Sequence, residues 1–196
     1  MSYEKILYYA TLAGVILCWI AFFAFLASWK KGKTGGEKKR NNAGVAGYIG
    51  QQIGFAVIIL LWRGNSLLIP GGGLAAATLL SVLALMLGTG SVMLQIAAFK
   101  ALGKQWAIAA RVVEEHKLIT TGPYGMVRNP LYTGMFARLL ATGIAVSAWW
   151  ALLAGMAIFW VGTRVRIRAE EAVLRESFGE KFNEYARKVP SLCPKL

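Results

Sequence analysis

Five apolar blocks, at residues 6–29, 43–62, 74–99, 130–147 and 149–167, restrict this chain more than any other feature it carries. A soluble domain of similar length interleaves polar and apolar residues along its helices. Here 57% of the residues are hydrophobic, only 16% are charged, and the apolar ones come in long runs. At about 1.5 Å of rise per residue, blocks of this length make helices close to one hydrocarbon thickness. The sequence therefore predicts an all-α integral membrane protein, with five transmembrane helices in a single membrane domain over 1–196. The fourth and fifth blocks form a hairpin turned at Ser147-Ala148-Trp149-Trp150. The first block is too long for the apolar core of a signal peptide and no small-residue cleavage site closes it, so it is expected to be a retained helix.

Five spans create two faces, and 19 of the 22 Lys and Arg fall on one of them: in 30–42, in 100–129 and from Arg164 onward. The other face receives Lys5 and Arg63, and Arg138 lies within the fourth block. The positive-inside rule then places the N-terminus outside, and puts the loop 100–129 and the tail 168–196, with its C-terminal helix, in the cytoplasm. The net charge of +13 follows the span ends without any nucleic-acid-binding pattern. It points to membrane lipids as partners and to no nucleic acid. Cys18 and Cys193 are too far apart in this topology for a structural disulfide, and with a single His the chain offers no Cys/His zinc site.

Two polar features stand out. One is the island Gly122-Pro123-Tyr124-Gly125-Met126-Val127-Arg128-Asn129-Pro130-Leu131-Tyr132; the other is Glu170-Glu171, which the hairpin returns to the face from which Arg128 departs. Asn129-Pro130 is a helix-start signal, so Asn129 either caps the fourth span or serves as a ligand. Glu170-Glu171 is either a solvated pair matched to Arg166 or Arg175 at helical spacing, or a partner of Arg128. Arg138, about two turns inside a span, is too costly to face lipid and is expected to face the bundle or a polar cavity. Gly50 and Gly54 form a small-xxx-small pair suited to close packing within the bundle. Gly88-Thr89-Gly90 lies inside an apolar block with no preceding strand, which excludes a dinucleotide-binding loop.

These residues carry a resemblance. His116-Lys117-Leu118, Gly122, Tyr124, Arg128, Pro130, Tyr132 and Gly134, then Glu170-Glu171, then Phe178-Gly179-Glu180, Tyr185 and Val189-Pro190 follow the order and spacing of the isoprenylcysteine carboxyl methyltransferase family. The resemblance covers roughly residues 100–196. Where the isoprenylcysteine enzymes usually have His, this chain has Asn129, as do the similar phospholipid N-methyltransferases. The compact five-span form resembles the prokaryotic members, which implies a multi-pass protein of the inner, cytoplasmic membrane.

The resemblance implies a methyltransferase that uses S-adenosyl-L-methionine, bound on the cytoplasmic side, and a lipophilic substrate entering from the bilayer. By it, His116, Lys117, Leu118, Tyr124, Arg128, Asn129, Pro130, Tyr132, Glu170 and Glu171 bind the cofactor, and Arg166, Asn129 and Tyr132 serve catalysis. Arg166 occupies the family's position four residues before the first Glu, where a guanidinium can orient a carboxylate acceptor. Methyl transfer needs no metal, because alignment and desolvation supply much of the acceleration. Three alternatives remain beside it: a phospholipid or small amine or thiol methyltransferase of the same superfamily, a non-catalytic membrane scaffold or transporter subunit, and a membrane NADPH-dependent reductase.

Overall fold

Helix α1 (Tyr3–Ser28) opens the chain, followed by α2 (Ala43–Leu60), α3 (Gly73–Leu102), the short α4 (Pro123–Met126), α5 (Pro130–Val146), α6 (Trp149–Phe178) and α7 (Glu180–Lys188). The structure is a computed structural model and describes residues 3–29, 37–40, 43–62, 73–103, 111–113 and 118–193. His116 and Lys117 lie outside the described residues. Tyr3–Ser28, Gly73–Leu102 and Trp149–Phe178 are long and apolar enough to cross a membrane, and Gly44–Leu60 and Pro130–Val146 are shorter apolar helices. The protein is a helical membrane protein. The helices are joined by one short ribbon, in which β1 (Glu37–Arg40) pairs antiparallel with β2 (Arg111–Val113), Lys39 opposite Val112. Pairing there gives the backbone groups of two connecting segments the partners that no helix supplies.

Small residues decide which helices touch. Helix α2 lies along α6 and α3 along α5, while α1 packs on α3. A Cβ built on Gly162 of α6 would stand 2.8 Å from the Gln51 nitrogen and the Gly47 carbonyl oxygen, so the two backbones meet with no side chain between them. Gly50 and Gly54 belong to the same seam, against Gly162 and Phe159, and thus serve packing within the bundle. One buried hydrogen bond crosses it, from Gln51 Nε2 to Thr163 Oγ1 at 2.9 Å. Phe55, Ile58, Leu139, Ile144 and Phe159 fill the core around this crossing.

The hairpin sets the geometry of everything below. Helix α5 ends at Val146 and α6 begins at Trp149, so the two run antiparallel. From Trp149 to Glu170 the rise is roughly 32 Å, about one hydrocarbon thickness. The start of α5 and the Glu pair of α6 therefore arrive at the same end of the bundle.

Arg138 turns inward, as its depth requires. It is 2% exposed, its guanidinium lies 3.7 Å over the Phe22 ring and 4.9 Å from the Trp19 ring, and Nε reaches Ser91 Oγ at 3.5 Å. Nη2 has no hydrogen-bond partner among the described residues. A buried cation held chiefly by aromatic faces gains about 0.5–2 kcal/mol from them, less than its desolvation costs. Arg138→Met, which keeps the length of the side chain and removes the charge, is therefore expected to leave the thermal midpoint in detergent equal or raised. A clear fall in the midpoint would show that the guanidinium has a stronger partner.

Candidate active site at the start of α5 and the end of α6

Gly122, at φ +61°, turns the chain into α4, and Val127 is extended, so Arg128 and Asn129 project from a bend just before α5. Pro130 begins α5, where its missing N–H costs nothing. Asn129 occupies the cap position, yet its side chain makes no capping bond. Its Nδ2 donates instead to the Ser191 carbonyl and hydroxyl, each at 3.2 Å, and weakly to Glu171 Oε1 at 3.4 Å. The amide therefore does not cap α5 and is engaged by the segment after α7.

Arg128 spends its whole guanidinium internally. Nε donates to Glu171 Oε1 at 2.9 Å and Nη2 to Oε2 at 3.2 Å, a two-pronged pairing with a carboxylate. Nη1 donates to the Ala186 and Val189 carbonyls. The backbone N–H groups of Arg128 and Asn129 donate to Pro190 and Ser191, and Thr133 Oγ1 donates to the Leu192 carbonyl at 2.7 Å. One Arg thereby ties the end of α6, the end of α7 and the segment after it to the start of α5. The fold forms this strap because Gly179, at φ +56°, reverses the chain between α6 and α7.

Tyr185 fastens the strap from the other side. Its hydroxyl donates to the Tyr124 carbonyl at 2.6 Å. Burial pushes its phenol up to about 12, against 10.0 ordinarily; Arg128 opposes the rise and Glu171 adds to it. The Tyr124 phenol is also raised, first by burial and then by the nearby Glu170 carboxylate. A raised acid pKa means the folded protein holds the proton more tightly, so this contribution is complete below about pH 10 and is lost as pH climbs toward 12. Alkaline titration of the thermal midpoint is expected to show that loss in the wild type and to show less of it in Tyr185→Phe.

The second cluster lies beside the first. Tyr132 Oη accepts from Arg166 Nε and donates to Glu170 Oε1, both at 2.5 Å, and Arg166 Nε also reaches Glu170 Oε1 at 3.1 Å. Tyr132 and Arg166 are buried; the Glu170 side chain keeps 24% of its surface. Glu170 Oε2 and the Tyr124 hydroxyl take no hydrogen bond among the described residues. Glu171 by contrast has both oxygens on Arg128. Two adjacent carboxylates thus have different duties: Glu171 holds the strap, while Glu170 keeps an acceptor available.

The structure brings together Tyr124, Arg128, Asn129, Pro130, Tyr132, Arg166, Glu170 and Glu171 at one end of the bundle. Leu118 is half-buried in the loop before Gly122. Three contributors were not singled out as site residues from the sequence. Ser191 and Tyr185 join through the strap, and Tyr48 of α2 brings its ring centroid to 5.5 Å from Arg166 Cζ, the same distance as the Tyr132 ring. Tyr185 was visible as part of the C-terminal pattern, and Tyr48 stands beside the glycine stripe, but only packing connects either to the site.

A carboxylate, a guanidinium and phenols thus gather at the end of an apolar bundle, and comparison with known proteins specifies the class of protein that carries them. Residues 79–181, more than half the chain, match the phospholipid methyltransferase family, and the chain belongs to that family of methyltransferases. It is 34% identical over 87 residues to the protein-S-isoprenylcysteine O-methyltransferase of Schizosaccharomyces pombe, covering 44% of this chain and 37% of that one. Protein-S-isoprenylcysteine O-methyltransferase B of Arabidopsis thaliana is 34% identical over 87 residues, 44% of each chain. The nickel-cobalt-cadmium resistance protein NccN of Alcaligenes xylosoxydans xylosoxydans is 37% identical over 81 residues, 41% of this chain and 37% of that one. The chain spans less than half the length of each of these relatives.

Proposed function

We propose that this protein transfers a methyl group from S-adenosyl-L-methionine to a lipophilic acceptor that reaches the site from the bilayer, in the manner of the isoprenylcysteine carboxyl methyltransferases. The observation that carries the reading is the Glu170 carboxylate, 24% exposed beside the buried Tyr132–Arg166 pair and with Oε2 unbonded among the described residues, in a chain of the phospholipid methyltransferase family. When bound, the cofactor supplies an electrophilic methyl group on a sulfonium. The residues present suit it: Glu170 Oε2 accepts from a ribose hydroxyl or an ammonium group, and the Tyr124 hydroxyl lies ready as a second contact. Tyr132 and Arg166 hold Glu170 in place, and Arg128, Asn129, Pro130 and Glu171 fix the bend that presents them. His116, Lys117 and Leu118 complete the cofactor side in this reading. No residue here has to act as a strong base, so the protein contributes position and exclusion of water.

The same reading sets the protein in the membrane with five spans, the N-terminus outside and the site and C-terminal helix in the cytoplasm of a prokaryotic cell. It rests on the 19 basic residues of one face. With Cys18 and Cys193 replaced, single cysteines at Lys38 and Arg187 are expected to label from one side and one at Asn65 from the other. Labels on Lys38 and Arg187 from opposite sides would overturn the topology.

Calorimetry of detergent-solubilised protein tests the chemistry. S-adenosylhomocysteine is expected to bind and NADPH is not. Binding of NADPH alone would favour a reductase, and binding of neither would favour a scaffold. A phospholipid amine is the second acceptor reading, favoured by the family and by Asn129 in the place of the isoprenylcysteine His.

A further inference from the structure

Arg166 is buried against α2, and the residues two places to either side of it face the opposite way. Arg164 and Arg168 are exposed on the outer surface of α6, one turn apart, in a stripe that also carries Leu153, Ala157, Trp160 and Arg175. We propose that Trp160, Arg164 and Arg168 form a site for an anionic phospholipid, with its phosphodiester between the two guanidiniums and an acyl chain running down the stripe. The proposal requires a helical membrane protein and is independent of the methyl-transfer reading.

Three observations support it. First, the fold gives these two cations no counter-charge. Among the described residues neither Arg164 nor Arg168 makes an ion pair or a hydrogen bond, and the carboxylate just beyond Arg168 on this stripe, Glu171, has both oxygens on Arg128. Arg175, by contrast, donates to Asn183 at 3.1 Å and lies 5.4 Å from the Phe182 ring centroid. Second, the depth of the pair is that of lipid phosphates and esters. Exposed Trp149 and Trp150 open α6 and mark one membrane boundary. Arg164 stands roughly 22 Å and Arg168 roughly 28 Å farther along the helix, so in a hydrocarbon layer of about 30 Å Arg168 arrives at the far edge and Arg164 lies about one turn inside it. The Arg164 side chain leans back deeper still, with Cζ 5.9 Å from the centroid of the Trp160 ring four residues earlier. An exposed guanidinium at that level is costly, and a phosphate drawn down to it offsets the cost. Third, the stripe below is apolar: Leu153 is 58% exposed and Val161, at its margin, 62%.

The order of groups along the stripe, two cations, then an indole ring, then apolar side chains, is the order of phosphate, glycerol ester and acyl chain in a phospholipid. A net negative headgroup gains from both guanidiniums. A zwitterionic one brings its own ammonium to the same place and gains less.

The test uses the full-length protein in phosphatidylcholine nanodiscs, titrated with phosphatidylglycerol or phosphatidylcholine brominated on the acyl chains. Emission from Trp160, taken as the difference between the protein and Trp160→Phe, reports which lipid lies beside it. Quenching is expected to be half complete at a mole fraction about five- to tenfold lower for phosphatidylglycerol than for phosphatidylcholine. In the double variant Arg164→Gln, Arg168→Gln that preference is expected to fall to within about twofold of none, and with Lys at both positions part of it returns. The control, Lys181→Gln with Lys188→Gln, removes the same charge from exposed positions on α7 and should keep the preference whole. An unchanged thermal midpoint in detergent shows that the Gln variant is folded; should it fall, the wild-type comparison and the Lys variant still decide. Equal quenching by the two lipids in the wild type, or full preference in the Gln variant, overturns the inference. Loss of the preference on adding millimolar inorganic phosphate would mark a site for free phosphate, and a Trp160 quenched by neither lipid would mean that a second copy or another protein covers this face; either result also overturns it.

Discussion

Arg128→Ala should cost this protein about 3–5 kcal/mol of stability, the amount expected when one partner of a largely buried ion pair is removed and the other is left behind. Arg128 and Glu171 are each 13% exposed, and the same guanidinium satisfies the Ala186 and Val189 carbonyls. Without it the carboxylate keeps only the weak Asn129 contact, both carbonyls lose the guanidinium, and the strap from Tyr185 to Leu192 loses its central fastening. The expected result is a large fall in the thermal midpoint in detergent, with faster tryptic cleavage at Arg187 and Lys188. Arg128→Lys should recover only part, because a point charge cannot serve two carboxylate oxygens and two carbonyls at once. Arg187→Ala is the control: its ion pair with Glu180 is 66% exposed on both sides, and the midpoint should not move. A wild-type midpoint in Arg128→Ala would remove the strap from the account.

The second large effect falls on ligand handling. Glu170→Gln removes a carboxylate whose Oε2 is unbonded among the described residues, and a hydrogen bond to a charged group is worth roughly 1.5–3 kcal/mol, or about tenfold or more in S-adenosylhomocysteine affinity. Glu171→Gln should act differently, lowering the midpoint through Arg128 and changing affinity less, since both Glu171 oxygens already serve the strap. Arg166→Ala should lose most turnover while retaining cofactor-product binding, because the Tyr132 hydroxyl still holds Glu170 Oε1. Arg166→Lys should recover part of the turnover. Calorimetry together with methyl-transfer assays separates these cases. Equal affinity in wild type and Glu170→Gln would return Glu170 to a plain helical ion pair with Arg166.

Part of this is legible in the sequence. The small-xxx-small stripe and the inward turn of Arg138 are local or thermodynamic properties of the chain, and they appear in the fold as expected; of the five apolar blocks, all become helices and three are long and apolar enough to cross a membrane. So does the meeting of Arg128 with the Glu pair, because two antiparallel helices of similar length joined by a two-residue turn must bring their far ends together. Asn129 was not legible in this way: its sequence context is a helix cap, and only the strap segment, folded back to place Ser191 beside it, draws its amide elsewhere.

The sequence by itself determined that the five apolar blocks are helices and that Glu170 and Glu171 return to the level of Arg128, since these follow from composition, period and length. Only the tertiary structure decided which partners the two carboxylates take and that the Tyr48 ring lies beside Arg166. Both depend on contacts between residues far apart in the chain: Arg128 takes both Glu171 oxygens while Tyr132 and Arg166 take one of Glu170, and α2 can approach α6 closely enough to place a ring beside Arg166 only where glycine faces glycine. Neighbouring residues on a helix point to different partners, and which partner each one meets is fixed by packing that no local pattern encodes.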